Sequence, residues 1–189
     1  KDLIRTICTS TVYQLSAEPN DYNLKDKQNY SRYYPKRLTA EVLYDAVHQV
    51  TNNVPNFNPV PVGVRAVQLP DNAVNSYFLT VFGRPAGDTA CECERSSEAN
   101  LAQSLHLLNS NEVQGKLSAG TGRAATLAKD TRPDAEKVAE LYQWAYSRAP
   151  DATELDISVK YLASKENKQQ AFEDVLWALI NSKEFLFNH

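Results

Sequence analysis

The sequence predicts a mainly α-helical fold: an irregular helical domain with long ordered loops and a three-helix unit at its C-terminal end. Three observations carry that expectation. Apolar residues recur at three- and four-residue spacing in several separate stretches. The connections between those stretches are long, polar and rich in proline. The periodicity supports no sheet and no internal repeat. The 189 residues suit one domain, 1–189, which the segment "SAGTG" would divide into sub-units 1–118 and 123–189 if it were two. A chain of this length buries a sizeable core without staples. Its 42% hydrophobic and 23% charged residues exclude global disorder.

The elements follow in order. In "LIRTICTSTVYQL" (3–15), Leu3, Ile4 and Ile7 share a helical face, with Cys8 and Val12 at its margin. Residues 16–37 are polar and broken by Pro19 and Pro35. They are expected to be an ordered loop, because Tyr22, Tyr30, Tyr33 and Tyr34 are too bulky to leave unpacked. Thr39 fits an N-cap, Glu41 favours the positive helix start, and Leu43, Ala46, Val47 and Val50 form a stripe. Residues 52–72 hold four prolines and "VRAVQL", a short extended segment. "NAVNSYFLTVFG" returns to helix, with Val74, Tyr77, Phe78 and Val81 inward and Gly83 as its stop. After a cysteine loop at 84–96, Ser96 or Ser97 caps a helix with a Leu101, Leu105 and Leu108 stripe. A short amphipathic piece at Val113 and Leu117 leads to "SAGTG", the expected hinge. Beyond it Pro133 suits a first helical turn, and Val138, Leu141, Tyr142 and Ala145 face inward. Leu155, Val159 and Leu162 mark the second helix of the unit. Phe172, Val175, Leu176 and Leu179 mark the third, before the apolar tail "EFLF".

The net charge of −3 gives no electrostatic reason to expect nucleic acid. No apolar run approaches the roughly 18 residues that span a bilayer. The chain begins at Lys1 and contains no methionine, so it is expected to be a piece of a larger protein.

Cys91 and Cys93, one residue apart, are the first chemical candidates. In an extended segment both sulfurs point the same way and could face one metal or partner. A structural zinc site needs about four ligands, which His106 and Cys8 supply only if the fold brings them there. A bridge between Cys91 and Cys93 would be strained. The stronger reading makes them structural cysteines, with no metal bound, in a loop pinned by Glu94 and Arg95. The segment "NYSRYYPKR" offers Tyr30, Arg32, Tyr33 and Tyr34, an aromatic–basic mixture that stacks sugars or bases, or packs a loop. His48, His106 and His189 have no nucleophile–base spacing and read as satisfied or surface histidines. "GTGR" lacks the spacing of a nucleotide-binding loop, and the Cys–x–x–Cys–His signature of covalent haem is absent. No cofactor is expected in this chain.

Several strings together resemble a known family: "RLTAEVLYDAV" (37–47), "VQLPDNAVNSYFLTVFGRP" (67–85), "CECERSSEANLAQSLHLLNS" (91–110) and "LWALINSKEFLFNH" (176–189). "YSRAPDATELDISVKYL" is similar to a further element of it. The family is planctomycete-specific domain one, a C-terminal domain of unknown function found in large proteins that often also carry cytochrome c-like modules. The resemblance implies no catalytic residue. It implies an extracytoplasmic setting, periplasmic or secreted, and other domains of the parent protein as partners, a cytochrome c-like module among them. The resulting expectation is a binding or scaffolding module supporting an electron-transfer partner. The rival is a hydrolase or redox domain using the Cys91–Arg95 loop, and the third reading is a carbohydrate-binding module.

Overall fold

A computed structural model describes residues 1–70, 73–85 and 101–188, apart from the side chains of residues 101, 102, 104 and 105. The cysteine loop with Cys91, Cys93, Glu94 and Arg95, the caps at Ser96 and Ser97, the Leu101 and Leu105 side chains and His189 lie outside the described residues. The fold is mainly α, as the periodicity predicts, and no described helix is long and apolar enough to cross a membrane. Two compact units emerge: Lys1–Arg37 with Phe187–His189, and Leu38–Leu186.

In the first unit, helix α1 (Asp2–Cys8) stops well short of the expected span and buries nothing. The Thr6, Thr9 and Ser10 hydroxyls donate back to the carbonyls of Asp2, Arg5 and Ile7 at 2.7–2.9 Å, competing with helix propagation. Leu3, Ile4 and Ile7 are exposed rather than packed. Strand β1 (Lys36–Arg37) pairs antiparallel with β2 (Phe187–Asn188), a two-residue ladder that periodicity does not announce.

The second unit is organised by α2 (Ala40–Thr51). Thr39 holds the N-cap position in extended geometry, although its hydroxyl makes no capping bond. Leu43, Val47 and Val50 are fully buried. The expected extended "VRAVQL" is instead a 3-10 turn, Ala66–Gln68, because the Asp45 carboxylate accepts from the amides of Ala66 (2.7 Å) and Val67 (3.3 Å). In α3 (Tyr77–Val81) the inward residues are Phe78 and Leu79, with Phe82 following. Tyr77 is 68% exposed, against expectation, because a five-residue helix packs one narrow face. Ser76 accepts from the Leu79 amide, and Gly83 at φ +86° ends the element in a conformation that suits glycine.

Helix α4 (Leu101–Asn109) turns Gln103, His106 and Leu107 inward and leaves Leu108 at the surface. Ser110 caps α5 (Asn111–Leu117) through the Val113 amide. The segment expected to be a hinge is a tight junction. A Cβ on Gly122 would lie 3.0 Å from the Ala119 carbonyl oxygen and 3.2 Å from that of Thr51. It opens α6 (Arg123–Lys129), whose Ala124 and Leu127 join the core and whose Arg123 guanidinium donates to the Val50 and Gln49 carbonyls at the end of α2.

Three helices complete the unit: α7 (Asp134–Tyr146), α8 (Ala152–Ser164) and α9 (Lys168–Ile180). Leu141, Leu162 and Leu176 are inaccessible to solvent, and Leu179 is buried beside them. Each such side chain contributes roughly 1.5–3 kcal/mol on burial. A last turn, α10 (Lys183–Leu186), buries Phe185 as the apolar tail predicts. The "SRAPDATE" element is the joint. Ser147 ends α7 in the left-handed region, and Asp151 and Glu154 form a capping box that starts α8. Arg148 forks onto Glu154 (2.8 and 2.9 Å) and Glu184 (2.6 and 2.7 Å). The Arg148 bonds, with helix-start help, hold the Glu154 carboxyl down to about 2.

Candidate functional site

Helix α8 buries only Ser158 and Leu162, and its Ile157 is 62% exposed. Ser158 is small, as is Ala178 of α9, and a hollow of about 470 Å³ opens beside them. Tyr142, Tyr161 and Trp177 supply its aromatic walls and Asp174 its charge. Each group is held. The Tyr161 hydroxyl donates to Asp174 Oδ2 at 2.6 Å, a bond from α8 to α9 that also raises the phenol's pKa. Trp177 Nε1 donates to the Leu108 carbonyl at 3.4 Å. Burial raises the Tyr142 phenol, so it stays neutral.

A second hollow of about 400 Å³ shares Asp174 and Trp177 and adds Gln114, Gln170 and Glu173. The spacing 170, 173, 174 and 177 places these groups along one face of α9. Glu173 Oε1 accepts from Gln169 Nε2 at 2.9 Å. Among the described residues, the charged side chains lining either hollow are two carboxylates. Preformed concavities of 300–1,000 Å³, mostly apolar with a few fixed polar groups, are the usual form of ligand sites.

The residues singled out from sequence fall elsewhere. His106 is buried against Phe78 and Tyr77, with ring centroids 5.4 and 5.3 Å away. Among the described residues its Nε2 has no hydrogen-bond partner, and it sits 3.6 Å from Glu112 Oε2. Burial lowers its pKa despite the carboxylate. His48, equally buried, bonds through Nδ1 to the Tyr44 carbonyl at 2.8 Å, and burial lowers it to about 4. Both imidazoles are therefore neutral at pH 7, and His48 is the satisfied histidine that its spacing predicts.

The tyrosine segment belongs to the first unit. Tyr30 and Tyr34 approach at 6.0 Å, and the Arg32 guanidinium lies 5.0 Å from the Tyr34 ring while donating to the Ala17 carbonyl. Tyr33 and Tyr34 are half-buried. Tyr22 is fully exposed and Tyr30 is 70% exposed, so bulk alone does not pack them. Tyr30 also adopts φ +54°, a strained conformation for a bulky residue. The loop is ordered by polar bonds instead. The Asp26 carboxylate accepts from the amides of Gln28, Asn29 and Ser31 and from the Ser31 hydroxyl. These bonds hold its pKa far below the carboxylate range.

Spacing missed Tyr161, Asp174 and Trp177. One signal was present: Trp177 is an aromatic residue lying off the Phe172, Val175, Leu176 and Leu179 stripe of its own helix.

The fold and this surface define a helical module with a preformed two-part cleft. The chain belongs to the PSD1 family, described as a protein of unknown function (DUF1553), whose model matches residues 1–162. No curated protein and no solved structure matches it.

Proposed function

We propose that this chain is a binding or scaffolding module of a larger exported protein, acting in support of a cytochrome c-like electron-transfer partner. One observation carries the binding reading. The two hollows sit on tightly packed helices, and the Asp174 and Trp177 side chains that divide them are positioned by bonds to α8 and α4. A surface already in its bound geometry loses little ordering entropy on association. The cytochrome partner and the extracytoplasmic setting rest on the family resemblance of the sequence strings. In this reading the electron-carrying group belongs to the partner, and the chain itself holds none.

The rival, a hydrolase or redox domain working through the Cys91–Arg95 loop, draws on the Nε2 of buried His106, which has no hydrogen-bond partner among the described residues. The exposed rings of Tyr22 and Tyr30 speak for carbohydrate binding. The test is titration of the isotope-labelled chain with a cytochrome c-like module of its parent protein. Saturable shifts confined to α8 and α9 amides are expected. An unshifted spectrum at millimolar module would refute the partner assignment.

A further inference from the structure

We propose that the cleft between α7, α8 and α9 is a receptor for a small organic cation, an alkylammonium with an apolar body. The inference rests on the reading of this cleft as a binding surface and names the ligand class it takes.

Three features on the cleft agree. The first is charge. Asp174 lines both hollows and Glu173 lies beside it, while no lysine, arginine or histidine lines either one among the described residues. An anionic ligand would meet repulsion there, and a neutral one would leave a part-buried carboxylate without a counter-charge. The second is the aromatic wall. Tyr142, Tyr161 and Trp177 line the apolar hollow, and aromatic rings attract a desolvated ammonium, as the Tyr142 ring already does the Arg148 guanidinium 5.6 Å from its centroid. The Tyr161 ring already holds one ammonium, that of Lys165, 5.2 Å from its centroid. The third is size. At about 470 Å³ the apolar hollow takes more than one unbranched side chain, and Ile157 and Ala178 give the ligand's body an apolar floor.

Asp174 is well suited to this role. Its Oδ2 accepts from the Tyr161 hydroxyl, which fixes the carboxylate between the two hollows and leaves lone pairs on Oδ1 for the incoming cation. The ammonium head would sit against Asp174 and Trp177, with the apolar body over Ile157 and Tyr142.

The experiment uses the full chain carrying Trp144→Phe, so that Trp177 alone reports by fluorescence. Calorimetry on the unchanged chain serves as a check. Four probes are compared: hexyltrimethylammonium, hexanol, hexanoate and cellotetraose. Saturable binding of hexyltrimethylammonium is expected, roughly tenfold tighter than hexanol. It should weaken with added salt and fall by a similar factor in Asp174→Asn, a variant that still accepts the Tyr161 bond. An unchanged melting curve for Asp174→Asn separates lost binding from lost fold, and Trp177→Leu provides the second variant. Equal binding of hexanol, or preferential binding of cellotetraose or hexanoate, would overturn the cation assignment while leaving a binding cleft. Silence from all four probes would overturn the cleft's role as well.

Discussion

The two units of this chain are ordered by different means. The helices of Leu38–Leu186 bury Phe172, Leu141, Leu162 and Leu176 completely. The unit of Lys1–Arg37 exposes most of its large apolar residues and is shaped by short-range polar bonds, those of Asp26, Asn20 and Asn23 above all. Burial gives cooperative stability that resists solvent exchange. Side-chain bonds to nearby amides give local shape with little stability of their own. That difference fits a rigid face for recognition in one unit and an adaptable segment in the other.

The sharpest way to break the comparison is a pair of truncations. Phe172→Ala should cost about 3–5 kcal/mol, through lost transfer energy and the cavity left behind. Ile4→Ala, at a position 64% exposed, should fall within about 0.5 kcal/mol. Paired denaturant melts measure both, and comparable losses would show that α1 is packed after all.

A smaller effect comes from acid. The folded-state pKa of His48 is lowered to about 4, below the ordinary value near 6.5, so the unfolded chain binds the proton first. This stability is fully present above pH 6.5 and is lost as pH falls towards 4. The charged groups influencing the ring are Lys116, Glu112 and Asp45, but burial outweighs them. At pH 5 the loss should reach about 2 kcal/mol relative to pH 7. His48→Gln should flatten the pH dependence of the melt between pH 7 and 5. A variant with the same slope as the parent would assign the acid sensitivity elsewhere.

The smallest effect sharpens the other side of the comparison. Asp26→Ala should raise hydrogen exchange at the amides of Gln28, Asn29 and Ser31 and leave protection in α7–α9 unchanged. Loss of protection in α9 would show that the two units share one cooperative transition.

How far the fold was legible follows the same division. The C-terminal helices were readable because Leu141, Leu162 and Leu176 repeat against polar neighbours, with Pro133 marking a start. Helix α6 was not, because "RAATLAK" buries alanines and an arginine stem, which give almost no hydrophobic contrast. The N-terminal helix was overestimated: the apolar face is real, but Thr6, Thr9 and Ser10 divert the backbone. The cleft escaped because it is made by two small residues, Ser158 and Ala178, and by side chains on separate helices. Periodicity reports what a helix buries, whereas this site consists of what two helices leave uncovered. Cys91 to Arg95 lie outside the described residues, so their structural reading and the rival one both stand as expectations.

Within the helical unit the Leu38 amide donates to the Leu186 carbonyl at 2.9 Å, and within the other Lys36–Arg37 pair with Phe187–Asn188. The two ends of the helical unit thus meet at one backbone bond. Tension pulled along the polypeptide would cross from strand to strand at this clasp and bypass the helical core while the clasp holds. Two residues of antiparallel ladder open one bond at a time, so the clasp acts as a low-force fuse. Single-molecule traces should show its release before any helix of Leu38–Leu186 unfolds, with the cleft still intact behind it.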